Sequence, residues 1–319
     1  MATQEVLEWY RRRTLTPSHS IEDLVALKQA KGSSLAVCLP ALNEEATIGP
    51  ICATVVGELR DSGLVDELLV IDTGSTDGTR QAASEAGARV YLAHEVLPGE
   101  PPGSVRGGKG EALWKSLALV RSELVVWLDS DTHNFSSHFV TALAGPLLDD
   151  ASIVFTKGYY HRPLSTPGGL TTGGARVTEI LVRPLLQLLH PSLTGFVQPL
   201  SGEYGGRVEA LREIPFWSGY GVDIGLLLQL ERRFGLEAMA QVDLGTRVHR
   251  NRDVPSLGRM AFQVATALLS ELEESGQVKL PADAAHELLQ FSAGSASPDP
   301  LDHDLEMVRF SPSAAHSSP

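Results

Sequence analysis

The sequence predicts an α/β fold built on a mostly parallel sheet with helices on both faces, and three observations carry that expectation. Leu124, Val125, Val126, Trp127 and Leu128 form an unbroken apolar run that ends in Asp129, Ser130 and Asp131. A run without polar alternation fits a strand covered on both faces, as strands of parallel sheets are. Short strands alternate with helical patterns through the first half of the chain, which is the order of a doubly wound sheet. Several strands close on an acid or amide, as at Asn43, Asp72 and Asp129. Ligands of such sheets bind at the carboxyl ends of the strands, so these residues outline a site along one edge.

In chain order, residues 1–34 carry two helical patterns and read as a helical arm for packing or dimer contact. The second opens at Ser20 with Asp23 three residues on, a capping box with a shortened acid. Residues 35–160 read as the first half of the core. An apolar stretch ends at Pro40 and gives the first strand, followed by Ala41, Leu42, Asn43, Glu44, Glu45 and a helix over about residues 47–60. Residues 67–72 give the second strand, and a turn through Thr73 and Gly74 leads into a helix; a short third strand falls near residues 89–91. Pro and Gly crowd residues 94–110 and predict a mobile loop before a helix that runs to Val120. After Asp131 come a helix over residues 136–148 and a strand over 153–159.

Residues 161–253 read as a second half. They contain a glycine-rich turn, a helix from Arg176 to His190, a helix over 222–234, and a last strand over 241–245 that delivers Arg247, His249, Arg250 and Arg252 together. Two helices, near 257–274 and 284–289, close the fold within residues 254–291. Residues 292–319 are rich in Ser, Pro and Asp and predict a disordered tail.

Composition narrows the function. A chain of 319 residues, 43% hydrophobic, can bury a large core. A net charge of -13 repels polyanions and argues against nucleic acid or anionic membranes as partners. No apolar stretch approaches the ~20 residues of a membrane span, and the N-terminus lacks a signal-peptide core, so the expected location is the cytoplasm. Cys38 and Cys52 fall in apolar patterns and read as core thiols.

The chemistry centres on the acidic pair. In an extended chain Asp129 and Asp131 point to the same side, and two carboxylates so placed face a diphosphate only with a cation between them. Mg²⁺ or Mn²⁺ would turn the pair into a hard-oxygen clamp, which His249 could complete. Lys109 and Arg247 would neutralise phosphate charge, the alternative for each being a solvated surface cation, and a basic cluster such as residues 247–252 in an acidic chain favours an anion site. Gly103 to Lys109 also matches the first seven positions of a phosphate loop. The residue that should offer a hydroxyl to Mg²⁺ is Gly110, however, and no strand precedes the loop, so that reading is set aside.

Four segments resemble the nucleotide-sugar half of the GT-A glycosyltransferases, whose fold is a Rossmann-like, mostly parallel sheet with helices on both faces. They are residues 40–45, 72–77, 108–114 and Asp129, Ser130, Asp131. Later segments, residues 176–179, 198–204, 219–222 and 249–251, resemble more narrowly the glucosyl-3-phosphoglycerate synthases. The resemblance spans about residues 35–275 and implies retaining transfer of glucose from UDP-glucose to the 2-hydroxyl of 3-phosphoglycerate, with Mg²⁺ or Mn²⁺ as cofactor, in a cytoplasmic homodimer. The related mannosyl-3-phosphoglycerate synthases use GDP-mannose, and the reading from another class is a nucleotide-sugar binding protein without turnover.

By that resemblance, Pro40, Ala41, Leu42, Asn43, Glu44, Thr73 and Lys109 hold the nucleotide, and Asp129, Ser130 and Asp131 meet the ribose and diphosphate. Tyr220, Asp223, Arg247 and His249 complete the donor site. Asp131 and His249, with Asp129, ligate the metal. Gly174, Ala175, Arg176, Val177 and Thr178, with Asn251, take the acceptor's phosphate and carboxylate. Lys109, Thr178, the carbonyl of Leu200, Asp223 and Arg247 serve the transfer, and the loop before Lys109 is expected to order over bound donor. The resemblance departs at Asp223, where glutamate is usual, and at Ala175, where glycine is expected. No carboxylate stands out as a nucleophile beneath the anomeric carbon, which favours same-face substitution assisted by the cation and Lys109 or Arg247.

Overall fold

The computed structural model describes residues 2–98, 108–161, 164–166, 169–171, 175–248, 253–284, 287–291, 301–304 and 307–312. Its strands are β1 (Thr14–Leu15), β2 (Leu35–Ala41), β3 (Glu67–Asp72), β4 (Arg89–Leu92), β5 (Leu124–Trp127), β6 (Phe155–His161), β7 (Leu164–Thr166), β8 (Gly169–Thr171), β9 (Tyr204–Arg207), β10 (Phe216–Trp217), β11 (Met239–Thr246), β12 (Glu287–Gln290), β13 (Leu301–Asp304) and β14 (Arg309–Phe310). Its helices are α1 (Ala2–Arg13), α2 (Ile21–Lys31), α3 (Glu45–Thr54), α4 (Thr79–Glu85), α5 (Lys109–Leu119), α6 (His138–Asp149), α7 (Arg183–Leu189), α8 (Val208–Arg212), α9 (Gly221–Phe234) and α10 (Val254–Glu274). Ser20 caps α2 through the capping box expected from its sequence, with Asp23 donating and accepting in return.

Eight strands form one sheet in the order β1-β11-β6-β9-β5-β2-β3-β4. All neighbours are parallel except β9, which is antiparallel to both β5 and β6. Both faces are covered, as the apolar runs require. Leu35, Val37 and Leu39 of β2 enter one core with Ile48, Leu143 and Val242, whereas Ala36 and Cys38 enter the other with Trp127, Tyr204 and Leu227. The reversed direction of β9 has a functional consequence. Its first residue, Tyr204, pairs with Trp127 at the end of β5 and with Lys157 on β6, so its amino end lies where its neighbours present their carboxyl ends.

Strand β9 was not expected from the sequence, because Gly205 and Gly206 weaken its strand pattern. Packing accounts for both glycines. A Cβ at Gly205 would lie 2.8 Å from Thr156 Oγ1, and one at Gly206 would lie 2.7 Å from Leu211 Cδ1.

Two expectations are corrected at the C-terminus. Residues 287–290, expected within a short helix, form β12 and pair antiparallel with β13. The tail expected to be disordered contributes β13 and β14, and β14 pairs with β10. Phe310 supplies the reason, since an apolar anchor offsets the ordering entropy. It is buried and stacks on Trp114 of α5 at 5.1 Å, while Trp114 Nε1 donates to the Ser311 carbonyl. The end of the chain thereby braces the helix that begins at Lys109. Among the described residues, no helix is long and apolar enough to cross a membrane.

Candidate active site

The site grows from the carboxyl rim of the sheet. After β5 the chain turns through Leu128 and Asp129, and Ser130 ties the turn down by donating from Oγ to the Pro40 carbonyl at 2.7 Å. Thr47 Oγ1 donates to the Ser130 carbonyl at 2.6 Å, fastening α3 to the same turn. Asp129 presses on the backbone of Gly202, where an added Cβ would come within 2.1 Å of a carboxylate oxygen. The acid can occupy that place only because residue 202 lacks a side chain.

Arg247, just past β11, binds the acids together. It is 1% exposed, and its guanidinium contacts Asp131 Oδ1, Asp129 Oδ2 at 3.2 Å and Glu203 Oε1 at 3.1 Å. Nε donates to Thr132 Oγ1 at 3.0 Å and an Nη to the Tyr160 hydroxyl at 2.8 Å. Burial opposes the charge on Arg247, but Glu203, Tyr160, Asp131 and Asp129 outweigh it and hold the guanidinium well above its ordinary value. The sequence offered Arg247 as a phosphate cation; the structure shows its donors committed to the acidic rim.

Lys109 plays the matching part from the other side. It opens α5, and its ammonium reaches Asp129 Oδ1 at 2.9 Å and Asp223 Oδ1 at 3.1 Å. Burial works against that charge, while Asp129 and Asp223 raise the ammonium well above its usual range. Asp223 sits in the first turn of α9, 2% exposed, and also accepts from the Tyr204 hydroxyl at 2.8 Å. Burial, reinforced by Asp223, pushes the Tyr204 phenol up, so it remains a donor. Gly110, the residue that broke the phosphate-loop pattern, packs its backbone on the Trp217 carbonyl. A Cβ there would lie 1.9 Å from that oxygen, so neither serine nor threonine fits.

The loops after β2 and β3 are laced to one another. Asp72 accepts from the backbone N–H groups of Gly74 and Ser75, and Thr73 donates through both N–H and Oγ1 to the Ala41 carbonyl. Asn43 takes a positive φ of 57°, which asparagine tolerates, and its side chain accepts from the Thr76 N–H. Glu44 N–H donates to Thr79 Oγ1. Beside these loops lies a cavity of about 670 Å³, lined by Asn43, Glu44, Thr47, Asp77, Asp131 and His133 among others. That volume suits a small-molecule ligand. Leu42 is half-exposed.

The structure therefore brings together Pro40, Ala41, Asn43, Glu44, Thr73, Lys109, Asp129, Ser130, Asp131, Asp223 and Arg247. In the acceptor turn, Ala175 takes φ 61°, in the left-handed region. That is the conformation that makes glycine the natural occupant, and alanine there costs about 1 kcal/mol. Val177 packs into the core, so only its backbone remains for a ligand, and Thr178 is buried beside it. Leu200 is buried in the turn that leads to Gly202, and Tyr220, which N-caps α9, donates its N–H to Gln263. Gly174, His249 and Asn251 lie outside the described residues, as does the loop over 99–107.

Asp131, held by Arg247 through Oδ1, reaches the cavity wall with Asp129 beside it, a hard-oxygen pair whose chemistry fits a divalent cation. Among the described residues, no cluster of three or more metal-ligating side chains occurs. The sequence missed Lys157, Tyr160 and Thr132, and gave Glu203 and Tyr204 no role. No local pattern marks Lys157 as a site residue, and only the pairing of β6 with the reversed β9 sets Tyr204 opposite it.

Residues 36–198 match the model of glycosyl transferase family 2. Glucosyl-3-phosphoglycerate synthase of Mycobacterium tuberculosis is 49% identical over 266 residues, 82% of this chain and 78% of that protein. Its crystal structure with Mn²⁺, UDP-glucose and phosphoglyceric acid superposes with a TM-score of 0.81 at 43% identity, covering 94% of this chain and 96% of that one. Another of its structures, with Mg²⁺ and UDP, gives 0.80 at 43% identity over 95% and 99%. Mannosyl-3-phosphoglycerate synthase from Rubrobacter xylanophilus is 33% identical with a TM-score of 0.87, covering 97% and 98%. The family model thus covers the rim from Pro40 to Ser130 and Asp131, and the likeness to the solved structures extends over most of the chain.

Proposed function

This chain belongs to glycosyl transferase family 2, and from that membership we propose that it moves glucose from UDP-glucose to the 2-hydroxyl of 3-phosphoglycerate, giving glucosyl-3-phosphoglycerate. One observation carries the reading at the level of geometry. Two largely buried cations, Lys109 and Arg247, each join Asp129 to a second acid at the sheet's carboxyl rim, beside a cavity of ligand size. A rim of alternating charge can receive a diphosphate, a cation and a sugar without leaving any charge uncompensated.

The end of β2 and the loops after β2 and β3, from Pro40 to Glu44 with Thr73, hold the nucleotide. Asp129, Ser130 and Asp131 meet the ribose and diphosphate. Mg²⁺ or Mn²⁺ would be held by Asp131 and His249 with Asp129, and when bound it neutralises the diphosphate as it leaves. Lys109 turns from its acids to the diphosphate, and Arg247 keeps Asp129 and Asp131 oriented. Asp223 accepts from hydroxyls of the donor sugar. The acceptor's phosphate and carboxylate sit against Arg176, the 175–178 backbone and Asn251, with Thr178 and the Leu200 carbonyl placing its hydroxyl. Asp129 and Asp131 are both held by Arg247, and Asp223 is committed to the Tyr204 hydroxyl, which supports same-face substitution over attack by one of these carboxylates. Ile180 and Leu188, large apolar side chains exposed on one helical stretch, support a homodimer.

The deciding experiment is an acceptor-dependent assay that compares UDP-glucose, GDP-glucose and GDP-mannose with 3-phosphoglycerate and Mg²⁺. Glucosyl-3-phosphoglycerate from UDP-glucose is expected; transfer from GDP-mannose alone would move the chain to the mannosyl activity. In the same assay, Arg176→Ala should raise KM for 3-phosphoglycerate by roughly tenfold to a hundredfold, the loss of one charge-assisted contact, and leave KM for the donor nearly unchanged. Equal losses for both substrates would remove Arg176 from the acceptor site.

A further inference from the structure

Lys157 holds a buried ammonium, 1% exposed, with no hydrogen-bond partner among the described residues. Such a charge is costly to bury, and packing alone would be served better by an apolar chain of the same length. Its surroundings suggest what it does. The ammonium lies 4.4 Å from the centroid of the Tyr204 ring, across the β6–β9 register. That ring's hydroxyl donates to Asp223 Oδ1, the oxygen that Lys109 also contacts. A cation on the ring face draws density from the phenol and strengthens it as a donor.

We propose that Lys157 is a positioning residue, whose charge keeps Tyr204 and Asp223 seated for the donor sugar when Lys109 turns from Asp223 to the diphosphate. The proposal rests on the reading above, in which Lys109 serves the diphosphate and Asp223 the sugar. Asp223 is buried, and without Lys109 its carboxylate would otherwise lack a nearby counter-charge. Lys157 stays behind because the Tyr204 ring, not the carboxylate, holds it. Lys109, Glu203 and Asp129 also face Lys157, one like charge and two opposite ones.

Lys157→Met tests the proposal, read by thermal unfolding, by the Kd of UDP with Mg²⁺, and by donor kinetics. Loss of an unpaired buried charge should leave Tm unchanged or raise it. Binding of UDP, which has no sugar, should stay within about twofold of wild type, while KM for UDP-glucose rises about tenfold, the scale of one charge-assisted contact. A structural role would do the reverse, so a variant that unfolds, or that loses UDP and UDP-glucose alike, overturns the proposal. A wild-type donor KM in the variant overturns it as well. If the wild type itself fails to use UDP-glucose, the proposed function falls instead, which keeps the two failures distinct.

The wild-type pH profile gives a second measurement. Burial, opposed by Asp223, brings Lys157 down to about 8, whereas Lys109 and Tyr204 are both held well above their ordinary values. As pH rises through that range, Lys157 loses its proton and its charge, so KM for UDP-glucose should climb while the Kd for UDP does not. Lys157→Arg, which stays charged, should flatten the climb. A donor KM that is level from about pH 7 to about pH 9 in the wild type would overturn the proposal.

Discussion

Arg247→Met is expected to destabilise the fold by about 3–5 kcal/mol, the usual consequence of removing one partner from a buried ion cluster. It should also lower kcat/KM for the donor by on the order of a thousandfold, at the upper end of what lost electrostatic preorganisation costs. The guanidinium contacts Asp131, Asp129, Glu203, Thr132 and Tyr160 at once, joining the turn after β5 to β6 and β9. Without it, Asp129 and Asp131 lose the counter-charge they share, and their repulsion opens the rim. Denaturation in urea checks the first part and steady-state kinetics at saturating Mg²⁺ the second. Adding Asp131→Asn to the variant should recover part of the stability and none of the activity, because one repelling charge is gone and the oriented rim is not restored. Unchanged stability in Arg247→Met would mean that the acids adjust to the loss on their own.

Much of the fold was legible because its strands are buried on both faces. Runs such as residues 35–39, 67–71 and 124–128 state that burial directly, and their terminal Asn43, Asp72 and Asp129 locate the rim. What was not legible depends on contacts between distant segments. Strand β9 is hidden by its glycines, whose reason is Thr156 and Leu211 in space. Strand β14 is hidden by its polar neighbours, although Phe310 fills a place beneath Trp114 that no local pattern announces.

The site divides in the same way. Asp129, Asp131 and Lys109 could be named from motif and resemblance, since their chemistry and their loop positions agree. Asp72 sits at an equally acidic strand end and yet has a structural task, capping the turn at Gly74 and Ser75. Arg247 was named for the right place and with a different task, because burial decides whether an arginine meets a ligand or its own acids, and burial is a property of the folded chain. Ala175 is the converse case. Its departure from glycine was visible in the sequence, and its physical meaning emerged only with a φ of 61°.

Asp131→Asn is expected to separate the chemistry of the rim from its architecture. The amide oxygen can still accept from Arg247, so the turn and the fold should hold, with stability within about 1 kcal/mol of wild type, the range of one altered hydrogen bond. The charge, however, is gone. A hard divalent cation takes anionic oxygen ligands, and Asp131 is the acid that both touches Arg247 and reaches the cavity wall. Donor turnover should therefore fall by roughly a hundredfold to a thousandfold at a Mg²⁺ concentration that saturates the wild type, in line with losing one preorganised charge contact. The activity that remains should shift to higher Mg²⁺ or Mn²⁺, since weaker metal binding can be offset by mass action. Titrating each cation against turnover, with urea denaturation in parallel, reads both halves. A variant whose metal dependence matches the wild type would take Asp131 out of the metal site. A variant that loses stability as Arg247→Met does would make Asp131 chiefly a counter-charge for the arginine.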